Sequence, residues 1–301
     1  MPLEAIVKTM SSKCVSKDTL VGLEGGEFLL HPQSTEILQW FKNNHPKFDL
    51  LSNCLKPEKL IAAVKTYTPH RLYLSLDGDK ETYQFMRGCD GYDKVIRVIE
   101  ECREIVPISL MFTLSPYNSV LDMGHVVEIA KKYDIDVRIG LYNNIHFFET
   151  SEKAHGTSLS LRSIIPENVA ETSENLDFLY LYDEWEKGKL KLNCYSIYDS
   201  LVIHPNGDVP ICQNLGVILG NINENSLDEV FNSRKSRKLQ KQYAKNCNGC
   251  WINFHRKYDI VLLRTLEGFF PKKFIELFYG KYQWTDNKAT TYKQITSNRW
   301  L

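Results

Sequence analysis

The stretch Thr19-Leu-Val-Gly-Leu-Glu-Gly-Gly-Glu-Phe-Leu-Leu-His-Pro32 decides how the first half of the chain folds. Its apolar start, Thr19 to Leu23, predicts a buried strand running into Gly25-Gly26-Glu27. A helix follows, with Ile37, Leu38 and Phe41 on one face. Two adjacent glycines permit positive φ and close approach of a ligand to the backbone. Alone, such a trio reads equally well as a plain turn, so its meaning rests on its surroundings.

Working outward, strand and helix patterns alternate. Leu3, Ile6, Val7 and Met10 predict a short amphipathic helix, and Phe48 to Ser52 a strand. Pro57 suits the first position of a helix, where no hydrogen bond is lost, and Leu60, Ile61 and Val64 form that helix's stripe. Strand patterns recur at Leu72, Leu74 and Leu76, at Ile108, Leu110, Phe112 and Leu114, and at Val137, Ile139 and Leu141. Between them lie the helical stripes Tyr92, Val95, Ile96, Ile99 and Met123, Val126, Val127, Ala130. Such alternation implies an α/β fold with right-handed crossovers and a parallel sheet. Functional groups are then expected beyond the C-terminal ends of the strands.

The pattern changes after residue 143. Residues 144–165 read as irregular and 166–187 as helical, with Leu176, Leu179 and Tyr180 as apolar positions. A β region over Leu201 to Cys212 is expected to turn at Pro205-Asn-Gly207, and a helix to run from Ser226 to about Lys241. The expected organisation is an α/β unit at 1–150, a helical connector at 151–189, a small α+β domain at 190–256 and a helical tail at 257–301. The tail's apolar stripes, from Ile260 to Phe278, read as a packed core face or as a partner-binding or membrane-surface segment.

Bulk properties limit the functional classes. Of 301 residues, 43% are hydrophobic and 25% charged, and 37 basic residues balance 37 acidic ones. A neutral chain offers no electrostatic footprint for nucleic acid. No apolar run reaches the roughly 18 residues of a membrane-spanning helix, and the first residues lack the pattern of a secretory signal. These features predict a cytoplasmic protein. In that setting eight cysteines favour thiolate or metal chemistry over a disulfide framework.

Four of the cysteines stand out. Cys247-Asn-Gly-Cys250 puts two thiols on one loop, and Cys194 and Cys212 flank the β region before it. Four gathered thiolates repel one another unless a cation or cluster takes up the charge, and Zn²⁺ or a 4Fe–4S cluster would do so. The competing reading is four unrelated core cysteines. Cys14, Cys54, Cys89 and Cys102 are scattered and receive no metal role.

Taken together, these segments resemble a known family. Cys194, Gly207-Asp-Val-Pro-Ile-Cys212, Leu219-Gly-Asn-Ile222, Ser226-Leu-Asp-Glu-Val230 and Cys247-x-x-Cys250 are similar to the C-terminal cap of radical S-adenosylmethionine (radical SAM) proteins of the SPASM/twitch type. No cysteine follows Cys250, so the resemblance is to the shorter twitch cap, which implies one auxiliary 4Fe–4S cluster on Cys194, Cys212, Cys247 and Cys250. The stretch Leu23 to Pro32 resembles the same superfamily's GGE motif, with Phe28 in place of the usual proline. That motif implies that Gly25, Gly26 and Glu27 receive the amino group of S-adenosylmethionine. Phe48-Asp-Leu-Leu-Ser-Asn53 resembles the next strand, with Cys54 where the family has glycine. Leu74-Ser-Leu-Asp-Gly78 and Arg87-Gly88 are similar to later landmarks, which implies Ser75 and Arg87 near the ligand's carboxylate. The implied fold is a partial parallel (β/α) barrel of the radical SAM type with a small α+β cap.

One element of the family is not in these 301 residues: no C-x-x-x-C-x-x-C triplet occurs, and Cys14 is the only cysteine before the glycine motif. That triplet follows the family's first strand, so the expectation is a barrel lacking its first βα unit. The chain would then be a fragment, the product of a misplaced start or a naturally shortened relative. The functional expectation is a radical SAM-type oxidoreductase or peptide- or small-molecule-modifying enzyme, incomplete for catalysis as it stands. An electron donor protein is a possible partner. The alternatives are a non-catalytic iron–sulfur protein or partner subunit and a zinc-stabilised scaffold. No catalytic residue is assigned.

Overall fold

The structure, a computed structural model, describes residues 1–142, 161–166 and 173–284. It divides into two compact units, residues 2–140 and residues 141–301.

The first unit opens with helix α1 (Leu3–Met10). Five strands follow in simple order: β1 (Val21–Leu23), β2 (Phe48–Ser52), β3 (Arg71–Ser75), β4 (Ile108–Leu114) and β5 (Asp136–Leu141). Neighbouring strands pair in parallel, with Leu50 beside Leu72 and Leu74 beside Leu110. The five-stranded parallel sheet meets the expectation from sequence, and β2 and β4 occupy the residues read as strands.

The connecting helices begin and end for local reasons. Helix α2 (Ser34–Asn44) follows a 3-10 turn at Phe28–Leu30. Helix α3 (Pro57–Tyr67) starts on its proline and stops where Thr68 turns left-handed. Helix α6 (Val120–Tyr133) is started by a reciprocal capping box between Ser119 and Asp122. Between β3 and β4 the chain forms two helices, α4 (Lys80–Arg87) and α5 (Tyr92–Cys102). Sequence periodicity marks only α5, because Tyr83 is the single buried residue of α4. Asp79 accepts from the Thr82 N–H at the α4 start, and Gly88 (φ 64°) ends it. Leu72, Leu74, Leu110, Phe112, Ile139, Val64 and Val95 are fully buried and form the core. Removing one such leucine costs about 2–5 kcal/mol.

In the second unit, α7 (Leu161–Ile164) and α8 (Ser173–Glu186) precede a short helix α9 (Ser196–Asp199). The β region differs from the sequence reading. Leu201–His204 forms no strand; instead β6 (Asp208–Pro210) pairs antiparallel with β7 (Ile218–Asn221). The Pro-Asn-Gly turn is present, with Gly207 N–H donating to His204 O. Gly207 has φ 90°, and a Cβ there would come within 2.5 Å of the Asn223 amide. Asn221 and Asn223 amides both donate to Asn206 O, so the Gly-Asn-Ile segment locks that turn.

The helix expected from Ser226 is two helices, α10 (Leu227–Asn232) and α11 (Arg234–Asn246). The break is Ser233, whose side chain accepts from Ser236 N–H and restarts the helix. The tail forms α12 (Asn253–Glu267) and α13 (Lys272–Tyr279). Arg264 grips Asp177 of α8 through a two-nitrogen contact, which anchors α12 within this unit. Phe269, Phe270, Phe274, Leu277 and Phe278 are exposed. Residues 144–160 and 167–172, read as irregular and helical from sequence, lie outside the described residues.

Candidate functional site

In the first unit the residues singled out from sequence stand beyond the C-terminal ends of the strands. Glu27 follows β1. Its Oε2 accepts from Ser52 Oγ and from the Asn53 N–H, both at 3.0 Å, so the end of β2 fixes the carboxylate. Its Oε1 is buried with no hydrogen-bond partner among the described residues. A buried carboxylate oxygen without a donor is costly and suits an incoming cationic group. Gly25 has φ 147°, and a Cβ on Gly25 or Gly26 would meet nothing within 4 Å. The backbone there is open to a ligand. The ammonium of an amino-acid ligand fits this arrangement.

Cys54, at the position where the family resemblance expects glycine, has φ 59° and is buried. The left-handed backbone explains why glycine suits this position. Tyr83 O–H donates to Asn53 O at 3.2 Å and steadies the same turn. Ser75 is the last, half-buried residue of β3. Arg87 closes α4, and its guanidinium pairs with the buried carboxylate of Asp77. Sequence reasoning placed Arg87 near a ligand's carboxylate, and Asp77 is the contact that fixes where its guanidinium stands. Sequence reasoning also missed Ser52 as a support for Glu27, a pairing between adjacent parallel strands that no local spacing reveals.

The second unit draws its four cysteines from separate segments. Cys194 N–H donates to Ala244 O at 2.9 Å, which pins it beside the last turn of α11. Cys247 is the C-cap of that helix. Cys212 follows β6, and the Asn214 and Leu215 N–H groups face its sulfur. Cys250 completes the loop, and its carbonyl accepts from Arg256 Nε at 3.0 Å.

Burial pushes the thiols of Cys194 and Cys212 up and that of Cys250 to about 11. The charges of Cys194 and Cys247 add to the shift in both Cys212 and Cys250, so the four sulfurs sense one another. The Asn214 amide lowers the Cys250 thiol, yet neither its nitrogen nor its oxygen makes a hydrogen bond of ordinary length. Among the described residues, no three His, Cys, Asp or Glu side chains are close enough together to hold a single metal ion. Tetrahedral zinc, at about 2.3 Å from each sulfur, needs its four sulfurs within about 4 Å of one another. A four-iron cube is larger and accepts thiolates standing farther apart. The donor set, Cys194 buried and Cys212, Cys247 and Cys250 half-buried, consists of four soft thiols whose charges oppose one another, which suits an iron–sulfur cluster.

Helix α12 supports this loop with a buried polar group that the sequence reading did not find. Arg256 and Asp259, with side chains 1% and 0% exposed, pair at 3.0 Å. Arg256 also donates to Leu192 O and Asn248 Oδ1, and Asp259 accepts from Tyr195 N–H. One guanidinium thus ties the segment before Cys194 to the loop carrying Cys250. Burial raises Asp259 to about 6, against the opposing pull of Arg256. Trp251, fully buried, stacks on Phe178 and packs against Trp185.

Comparison with known proteins agrees with this geometry. Residues 194–251 match the SPASM family, an iron–sulfur cluster-binding domain. The chain is 24% identical to the antilisterial bacteriocin subtilosin biosynthesis protein AlbA of Bacillus subtilis (strain 168), over 78% of this chain and 58% of that protein. In fold it is similar to SuiB of Streptococcus suis. Against SuiB bound to the precursor peptide SuiA the TM-score is 0.61 at 17% identity, covering 80% of this chain and 60% of that one. Against SuiB bound to S-adenosylmethionine it is 0.54 at 16% identity, with the same coverage. The chain spans about three-fifths of the length of these relatives. No helix among the described residues is long and apolar enough to cross a membrane. The chain thus shares its fold with SuiB over 80% of its length, and its residues 194–251 match the SPASM iron–sulfur cluster-binding family.

Proposed function

We propose that this chain belongs to a peptide-modifying system, with its second unit holding one auxiliary 4Fe–4S cluster and its first unit receiving S-adenosylmethionine. The observation that carries the reading is the presence of Cys194, Cys212, Cys247 and Cys250 in the matched domain, where the charges of Cys194 and Cys247 raise the cost of ionising Cys212 and Cys250. A bound cluster of this kind supplies one-electron redox chemistry and charge neutralisation. The chain's own residues do the rest. The four cysteines hold the cluster, Arg256 fixes the loop that carries Cys250, and α12 excludes water from behind it.

In the first unit, Gly25 and Gly26 leave room for the ligand. Glu27 Oε1 accepts from its ammonium, while Ser52 and Asn53 keep Glu27 oriented. Ser75, at the end of β3, is placed to meet the ligand's carboxylate end, and Arg87, held by Asp77, lends positive charge there. The peptide substrate is proposed because AlbA is a bacteriocin biosynthesis protein and SuiB binds a precursor peptide. An electron donor protein is the further partner this chemistry calls for.

A second reading is an iron–sulfur-binding partner subunit without catalysis of its own. The two readings share the cluster. Equilibrium binding of S-adenosylmethionine to the reconstituted full chain separates them. The first reading expects binding that weakens about tenfold or more in Glu27→Gln, since a hydrogen bond to a charged group contributes about 1.5–3 kcal/mol. Binding unaffected by that substitution would contradict the role of Glu27, and no binding at all would leave the partner-subunit reading.

A further inference from the structure

Behind Cys194 lies a polar chain that the proposed function does not use. Ser196 is the first residue of α9, and its Oγ stands 3.3 Å from Cys194 Sγ and 2.7 Å from His255 Nδ1. Cys194, Ser196 and His255 are all buried. His255 is the third residue of α12, so this contact joins two elements far apart in sequence. The His255 Nε2 atom is buried with no hydrogen-bond partner among the described residues.

Donor counting fixes the direction of this chain. A thiolate bonded to a cluster only accepts hydrogen bonds. A serine hydroxyl has one proton to give. If that proton points to Cys194, the Ser196 oxygen must accept from its other neighbour, so His255 Nδ1 carries the hydrogen. Burial, with the nearby charge of Arg256, holds the imidazole neutral down to about pH 4. A neutral ring has one N–H, so Nε2 is then a bare lone pair. That agrees with its lack of a partner, because a stranded buried N–H costs more than a stranded acceptor.

We infer that His255 is a positioning residue for the cluster: its Nδ1–H holds Ser196 so that the Ser196 hydroxyl donates to the Cys194 sulfur and raises the cluster's reduction potential. Hydrogen bonds to ligand sulfur stabilise the more negative, reduced cluster and are among the factors that set such potentials. This inference rests on Cys194 being a cluster ligand, as proposed above.

The test uses the full chain, reconstituted anaerobically with iron and sulfide, and a potentiometric titration followed by electron paramagnetic resonance. Ser196→Ala and His255→Leu should each lower the midpoint potential by the equivalent of about a tenfold change in the reduced-to-oxidised ratio, which is 59 mV for a one-electron couple. The double variant should shift no further than Ser196→Ala alone, because His255 acts through Ser196. His255→Asn, which keeps an N–H donor near the Nδ1 position, should restore the wild-type potential. An unchanged potential in Ser196→Ala with a full complement of iron overturns the inference, as do additive shifts in the double variant. If His255→Leu fails to fold, Ser196→Ala and His255→Asn decide the matter. A wild-type chain that takes up no cluster overturns the inference and the proposed ligand set together, whereas a full cluster with an insensitive potential overturns the inference alone.

Discussion

Replacing Arg256 with leucine removes the group that ties the second unit's cysteine segments together. In the native chain Arg256 makes four contacts from a fully buried position: to Cys250 O, Leu192 O, Asn248 Oδ1 and Asp259 Oδ2. Summing about 1.5–3 kcal/mol for each charged hydrogen bond gives about 6–12 kcal/mol. That overshoots, since the exposed oxygens can recover water or neighbouring donors. The better guide is the loss on breaking a buried ion pair, about 3–5 kcal/mol, because Asp259 is left as an unpaired buried charge. Against a typical total of about 5–15 kcal/mol this is severe.

Urea unfolding followed by tryptophan fluorescence reports on it directly, since Trp251 and Trp185 pack together in the same unit and Arg256 lies over the Trp251 ring. With a urea m-value of about 2 kcal/mol/M, the midpoint should fall by about 1.5–2.5 M. Arg256→Lys keeps the charge but loses the fork, so its loss should be smaller. The double variant Arg256→Leu/Asp259→Leu should recover part of the loss by removing the stranded charge, while Tyr195 N–H and the Cys250 and Leu192 carbonyls lose these partners. The experiment is run above the pH at which Asp259 titrates. A midpoint change below about 0.5 M in Arg256→Leu, or a double variant worse than the single one, would refute the reasoning.

Two further predictions follow from local geometry. Cys54 holds a left-handed backbone in a buried position, a conformation that costs a side chain about 1–2 kcal/mol. Cys54→Gly should therefore be at least as stable as Cys54→Ala, which keeps the strain and loses the thiol; a more stable alanine variant in thermal unfolding contradicts this. The second concerns pH. His255 is lowered from 6.5 to about 4, so the unfolded chain takes up its proton first, and the native state loses about 3 kcal/mol from this group as pH falls from 6.5 to 4. Asp259 is raised from 3.8 to about 6, so its contribution is present at low pH and about 3 kcal/mol is lost as pH rises through 6. The two oppose each other between pH 4 and 6. Relative to wild type, His255→Asn should gain stability as the solution is acidified from 6.5 to 4, and Asp259→Asn should lose it. Parallel stability curves for all three proteins would sink the assignment.

The first unit was legible because its signals are local. β2 is a five-residue apolar run, and α3 begins on a proline whose fixed φ suits a helix start. The glycine motif and the four cysteines were legible as residue types whose chemistry demands company. What escaped shares a different character. Helix α4 presents one buried residue and so has no stripe to detect. The partner of β6 lies beyond the turn in β7, and nothing within Leu201–Cys212 favours that strand over the nearer one. Ser233 interrupts what periodicity reads as one helix, and only its cap to Ser236 reveals the restart. His255, Arg256 and Asp259 lie where the small domain was expected to meet the tail, and no local pattern marks them as buried. Their burial depends on α12 lying against α8 and α9, which is a tertiary fact.

The central claim is a single four-iron cluster on Cys194, Cys212, Cys247 and Cys250, and metal analysis tests it most directly. Iron, acid-labile sulfide and zinc per chain are measured after anaerobic purification and reconstitution, on the wild type and on single serine variants of the four cysteines. The account predicts about four irons and about four sulfides in the wild type, lost on substitution of any of the four. About one zinc with no iron would contradict it and leave a structural four-cysteine site.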